Sequence, residues 1–271
     1  MEQLNTNKII ITDLDGTLLN QDHQVSAFTN QILTNMHQQG HKLIVATGRH
    51  HLDAFPILST LQIPFYLVTS NGARIHNQRN ELIYQYNLND ATARTILNHH
   101  IDPEITAVLF KEEVWMTNKN NEKLNSFQKE MNYPPQIVDF SQVDDLSGIK
   151  IFFTHSDNQK LEQLRQNLQL HFSDQFDFAF SLPICLELLH KEVDKSKAIA
   201  LILELENTNW QQTIAFGDGF NDEKMLLAAA KGLLMNNAPI HFKQKLNHLQ
   251  IINSNNQDGV AHYLNEFILK E

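Results

Sequence analysis

The sequence predicts an α/β protein: a doubly wound, mainly parallel sheet with an α+β module inserted into it. Three observations carry this expectation. Short aliphatic, often β-branched runs alternate with helical stripes near both ends of the chain. Several of these runs end on a glycine or an acidic residue, as strands do when their carboxyl ends carry a site. Between about Ala73 and His190 the texture changes, with more varied strand-like segments and denser turn signals.

The elements follow in order. Lys8-Ile9-Ile10-Ile11-Thr12 is short and apolar, so it reads as a buried parallel strand running to about Asp13. A helix is expected from Val25 to Gln39, because Val25, Phe28, Ile32 and Met36 share one stripe and Gly40 is a good stop. Lys42-Leu43-Ile44-Val45-Ala46 is a second strand, ending at Thr47-Gly48-Arg49. A short helix from His51 to Thr60 precedes a third strand, Phe65 to Thr69. In the middle segment, Glu81 to Tyr84 and Val114 to Thr117 read as hairpin strands, and Lys150 to Thr154 as a further strand. Asp90 to His100, Asn121 to Met131 and Asn158 to Leu170 read as helices, and Tyr133-Pro134-Pro135 as a loop. After Lys195 the alternation resumes: helix Ala198 to Leu205, strand Thr213 to Phe216, helix Phe220 to Ala230, strands Gly232 to Met235 and Gln250 to Ile252, and a last amphipathic helix from Asp258 to Leu269. The expected division is a core from 1–84 and 190–271 and an inserted module from 85–189.

Composition excludes several classes. The chain has 271 residues, 42% hydrophobic and 19% charged, which is ordinary for a globular protein large enough for one or two cores. Its formal net charge of −10, with no basic stripe, argues against nucleic-acid and anionic-membrane partners. No apolar stretch reaches the length of a membrane span, and the first residues lack a signal-peptide core. One cysteine, Cys185, fits a reducing compartment. Cytoplasmic is the expected location.

Chemistry-bearing groups gather at four expected strand ends. Asp13-Leu14-Asp15-Gly16-Thr17 places two carboxylates two positions apart, one able to attack an electrophile and the other to handle protons. Thr47-Gly48 offers a hydroxyl and an unencumbered backbone N–H for phosphate oxygens. Lys195 can neutralise phosphate charge. Gly217-Asp218-Gly219-Phe220-Asn221-Asp222 adds two carboxylates and an amide. Phosphoryl transfer is mostly positioning and charge neutralisation, and this inventory fits it.

These residues resemble the four motifs of the haloacid dehalogenase (HAD) superfamily of phosphatases, in order and over nearly the whole chain. Asp13 to Thr17 resembles the first motif, Thr47 the second, Lys195 the third and Gly217-Asp218 to Asp222 the fourth. The long gap between the second and third resembles the Cof-type branch with a C2 cap. Ser70-Asn71-Gly72-Ala73, Met235-Asn236-Asn237-Ala238 and Asp258-Gly259-Val260-Ala261 agree. Thr47-Gly48-Arg49-His50-His51 and Thr69 to Arg74 are similar to the branch acting on pyridoxal phosphate and sugar phosphates. The resemblance implies Asp13 as nucleophile and Asp15 as general acid and base. It implies Mg2+ held by Asp13, the Asp15 carbonyl and Asp218, and phosphoryl oxygens held by the Leu14 and Gly48 N–H groups, Thr47, Lys195 and Asn221. Asp222 would support Lys195 or the metal's water shell, and the cap would read the leaving group.

The sequence departs from the family pattern in places. Lys195-Ser196-Lys197-Ala198-Ile199 replaces the usual Lys-Gly-x-Ala-Leu, so Lys197 shares a claim with Lys195. His190-Lys191-Glu192-Val193-Asp194 lacks a common glycine, and Met235-Asn236-Asn237 stands for Met-Gly-Asn. Plainer readings also exist for single residues. Thr47 alone reads as a helix cap, Lys195 as a surface lysine, and Asn71 as a turn residue or a substrate neighbour. Arg49 reads as an ion-pair or ligand contact, and His50-His51 as a substrate contact or structural pair. His99-His100 reads as a solvated helix end, Cys185, Trp115 and Phe110 as core, and Glu187 as the insert residue to test first. A phosphomutase and a non-catalytic metabolite sensor are the competing functions. The second is disfavoured because all four aspartates are present.

Overall fold

A computed structural model of the chain describes residues 8–99, 101–121, 124 and 135–269. Most of the expected helix from Asn121 to Met131, most of the Tyr133-Pro134-Pro135 loop, and His100 therefore lie outside the described residues. The chain divides into two compact units, one running up to Gln85 and again from Asp194, the other Tyr86–Val193.

The strands along the chain are Ile9–Thr12 (β1), Lys42–Ala46 (β2), Phe65–Thr69 (β3), Arg74–His76 (β4), Leu82–Gln85 (β5), Thr106–Phe110 (β6), Trp115–Thr117 (β7), Gln136–Ile137 (β8), Lys150–Thr154 (β9), Phe176–Leu182 (β10), Cys185–His190 (β11), Thr213–Gly217 (β12), Lys231–Met235 (β13) and Gln250–Ile252 (β14). In the first unit eight of them form one sheet, in the order β14-β13-β12-β1-β2-β3-β4-β5. β14 through β3 are parallel, and β4 and β5 add an antiparallel edge. Both faces of the central strands β12, β1, β2 and β3 are covered, which is why they read as continuous apolar runs. Ile10, Leu43, Val45, Leu67, Ile214 and Phe216 pack with Ile32, Leu33 and Met36 of helix Ala27–Gln38 and Val260 and Leu264 of helix Gly259–Phe267. Ile9, Ile11, Ile44, Val68 and Ala215 pack with Ile199 and Ile202 of helix Lys195–Leu205 and Met225 of helix Glu223–Ala228. Neighbouring residues of β1 thus serve opposite cores, the two-residue period of a strand. This is the α/β core expected.

The second unit is a six-stranded sheet, β10-β11-β9-β6-β7-β8, antiparallel except for the β7–β8 pair. One face, with Ala107, Leu109, Ile151, Phe153 and Leu186, packs on Ile96 of helix Asp90–Leu97 and Leu161, Leu164 and Leu168 of helix Asn158–Phe172.

The differences from expectation are local. Arg74–His76 and Leu82–Gln85 form a hairpin on the core sheet, although the change of texture begins near Ala73. The first helix starts at Ala27 because the Ser26 side chain accepts a hydrogen bond from Thr29 N–H. The helix expected from Ala198 starts at Lys195, because Asp194 caps Lys197 N–H. The segment Phe220 to Ala230 is a short 3-10 turn followed by helix Glu223–Ala228, since the Asp222 carboxylate turns back onto the N–H groups of Asp218 and Gly219. Strands β4, β6, β8, β10 and β11 and helix Ile240–Lys245 were not expected. Among the described residues no helix is long and apolar enough to cross a membrane.

Candidate active site

Of the four expected groups, three follow strands of the first unit and Lys195 opens one of its helices, and the topology gathers them. β12, β1 and β2 are adjacent and parallel, so the segments after them leave the same sheet edge. Asp13 continues β1 by one residue, its N–H donating to Phe216 C=O at 3.0 Å. The chain then makes a tight turn over Leu14–Leu18, anchored by the buried side chains of Leu14 and Leu18. Gly16 sits at φ 76° in this turn, and a Cβ there would collide with the Asp218 carboxylate. Glycine is required at this position twice over, for the left-handed backbone and for the close approach.

Lys195 reaches into the turn from the start of its helix. Its Nζ donates to Asp13 Oδ1 at 2.5 Å and to Asp222 Oδ1 at 2.6 Å. All three side chains are buried. Lys197 is exposed, so of the two lysines it is Lys195 that meets Asp13. Asp222 is held from its other side: its Oδ2 accepts from Asp218 N–H at 3.0 Å and Gly219 N–H at 2.9 Å. Asp218 Oδ1 accepts from Thr17 Oγ1 at 2.8 Å. Asn237 Nδ2 donates to Gly16 C=O at 2.7 Å, tying a further loop to the turn.

Charge in this cluster is unbalanced. Asp13, Asp218 and Asp222 offer carboxylate oxygens within 4.8 Å of one another, around one ammonium. Burial, then the Asp222 charge, pushes Asp13 well above the usual carboxylate range, against the pull of Lys195. Burial likewise raises Asp218 to about 6. Burial alone would lower Lys195, but the Asp13 and Asp222 charges outweigh it and keep the ammonium protonated. An all-oxygen, net-negative pocket of this kind suits a hard divalent cation. Asp13 and Asp218 can serve it. Asp222 is tied by three hydrogen bonds, one to Lys195 and two to backbone N–H groups, which suits it to support the cluster rather than to lead it.

The remaining expected residues lie on two interlocked loops. Asn71 N–H donates to Thr47 C=O at 3.0 Å and Ser70 N–H to Arg49 C=O at 2.8 Å. Thr47 Oγ1 accepts from Arg49 N–H at 3.1 Å, which leaves its own O–H to donate. His50, not Thr47, caps the following helix through Leu52 N–H. Arg49 grips Asp15 with both prongs, Nε to Oδ2 at 2.6 Å and Nη2 to Oδ1 at 2.5 Å. Asn221 Nδ2 donates to Asn71 Oδ1 at 3.0 Å. The ion pair expected of Arg49 is present, but its partner, and the roles of Thr17 and Asn237, are not read from the sequence. Arg49 and Asp15 are 34 residues apart, and nothing in either segment signals the pairing.

Outside this cluster, His50 and His51 are buried with ring centres 4.1 Å apart. In the second unit, Trp115 and Phe110 are buried and stacked at 5.8 Å. Glu187 lies 3.8 Å from Lys150. Cys185 is half-buried on β11, and His99 bonds Asn167 and packs on Phe172 rather than standing in solvent.

The profile of the haloacid dehalogenase-like hydrolases matches residues 10–264. The chain belongs to this family. Among this hydrolase's relatives, one from Buchnera aphidicola (strain APS) is 34% identical over 270 residues, covering 97% of each chain. An HMP-PP phosphatase from Yersinia pseudotuberculosis (strain IP 31758) is 32% identical over 256 residues, covering 94% of this hydrolase and 93% of the relative. A solved haloacid dehalogenase-like hydrolase from B. subtilis superposes with a TM-score of 0.84 at 25% identity, over 96% of this chain and 100% of the other.

Proposed function

We propose that this hydrolase is a Mg2+-dependent phosphatase of small phosphorylated metabolites, working through an aspartyl-phosphate on Asp13. The observation that supports this most is the meeting of Asp13, Lys195 and Asp218 beside the Asp15 turn, although Lys195 lies 182 residues from Asp13 and Asp218 farther still. Lys195 fixes one Asp13 oxygen and favours its ionised form against burial and the Asp222 charge, and the other oxygen, once ionised, attacks phosphorus. As the ester P–O bond breaks, Asp15 gives a proton to the leaving oxygen. It then takes one from the water that hydrolyses the aspartyl-phosphate, releasing phosphate and restoring Asp13. The Thr47 hydroxyl, Lys195, the Asn221 amide and the Leu14 and Gly48 N–H groups hold the phosphoryl oxygens. Asp13, Asp218 and the Asp15 carbonyl would hold the cation. Bound there, Mg2+ would supply the positive charge that the carboxylates and phosphoryl group lack.

Arg49 bears on this mechanism directly. Both Asp15 oxygens accept from its guanidinium, and a proton donor needs one of them released. The anionic substrate supplies the competing partner. Arg49→Ala is expected to lower kcat about 10-fold, with partial rescue by added guanidinium. Steady-state kinetics with and without guanidine checks this, and unchanged kcat would remove Arg49 from the mechanism.

We further propose that the 86–193 unit reads the leaving group, and that pyridoxal phosphate and hexose phosphates head the substrate class. HMP-PP joins the panel because of the Yersinia relative. A phosphate-release screen over these compounds tests the reading. Isomer formation without free phosphate would instead make the chain a mutase.

A further inference from the structure

We propose that Asn71 is a positioning residue, whose side-chain amide holds Asn221 in register with the transferring phosphoryl group; this rests on the phosphatase reading above. An Asn-Gly pair after a strand is commonly just a turn. Here the backbone does more. Ser70 (φ 49°), Asn71 (φ 58°) and Gly72 (φ 113°) are all left-handed in succession, and serine has no preference for that region. The Thr69 and Ser70 hydroxyls beside them are buried with no hydrogen-bond partner among the described residues. Strain and lost hydrogen bonds gathered at one turn point to a functional demand on it.

The side chain shows what that demand is. Asn71 is only 7% exposed, and its Oδ1 accepts from Asn221 Nδ2, across 150 residues, at 3.0 Å. The amide lies against the phosphate turn. A Cβ at Gly48 would sit 3.2 Å from Asn71 Oδ1 and 3.4 Å from Nδ2, so the missing side chain at 48 leaves the room that the amide uses. Two backbone bonds lace the same loops together, Asn71 N–H to Thr47 and Ser70 N–H to Arg49. A left-handed position alone is served better by glycine. Asparagine is explained by what its amide does: it spends one Asn221 N–H and orients the other.

The test separates conformation from chemistry. Asn71→Gly keeps the backbone and deletes the amide. It is expected to melt within a few degrees of the unsubstituted protein while kcat falls about 10- to 100-fold and KM stays within about twofold. Asn221→Ala is expected to fall comparably, and the double variant no further than Asn221→Ala alone, because the first residue acts through the second. Unchanged kcat in Asn71→Gly, or a double variant falling by the product of the singles, would overturn the proposal. The same cycle is read on the rise in melting temperature caused by orthovanadate, which imitates the five-coordinate transition state, with the same two outcomes. An unsubstituted protein that releases no phosphate from any substrate sinks the phosphatase reading, and Asn71 is then judged by the vanadate-binding cycle.

Discussion

Asp13→Asn is expected to lower phosphate release by more than about 10³-fold while substrate still binds. The amide is nearly the same size as the carboxylate and keeps an oxygen for Lys195, so the pocket stays intact. It lacks the nucleophilic oxygen. Folding is not the expected casualty. Burial and the Asp222 charge already disfavour an ionised Asp13, and Lys195 retains Asp222 at 2.6 Å. The variant should therefore melt close to the unsubstituted protein in cation-free buffer near neutral pH. Substantial phosphatase activity in Asp13→Asn, measured against a melting curve that shows it folded, removes Asp13 as nucleophile.

Excess EDTA is expected to stop turnover, and Mg2+ to restore it. The same cation should matter to stability, with a pH dependence of known sign. The folded-state pKa values of Asp218, at about 6, and of Asp13 lie above the value near 4 of an unfolded carboxylate. Their stabilising contribution is complete below about pH 4, is lost through about pH 6 for Asp218, and is lost further as Asp13 ionises. Metal-free protein should thus lose melting temperature from about pH 4 to about pH 7. Mg2+, by binding the ionised carboxylates, should raise it more at about pH 8 than at about pH 5. Differential scanning calorimetry across pH, with and without Mg2+, reads both. Equal Mg2+ effects at the two pH values would place the cation elsewhere, and full activity in EDTA would dispense with it.

Much of the core was legible because its physics is local. β1, β2, β3, β12 and β13 are sandwiched between helices, so burial on both faces wrote itself as apolar runs. The parallel order of those strands then brings Asp13, Thr47 and Asp218 to one edge. Arg74–His76 was illegible for the opposite reason: it is a buried strand made of an arginine, an isoleucine and a histidine. Phe176, Phe178 and Phe180 do alternate, but the turn signals around β10 mask the strand. In the site, residue types at strand ends announced their chemistry, whereas pairings did not. That Arg49 closes on Asp15, or Asn71 on Asn221, depends on the paths of two loops and on side-chain rotamers. Lys195 over Lys197 was decided by where the helix begins, which Asp194 sets.

The most direct test of the account is to quench the enzyme in acid during turnover of a substrate carrying labelled phosphate, and to map the protein-bound label. The account predicts label on the peptide containing Asp13, released by alkali and by hydroxylamine as an acyl phosphate is, and absent from Asp13→Asn. Label on another residue, or rapid phosphate release with none on the protein under conditions that trap acyl phosphates, would contradict it.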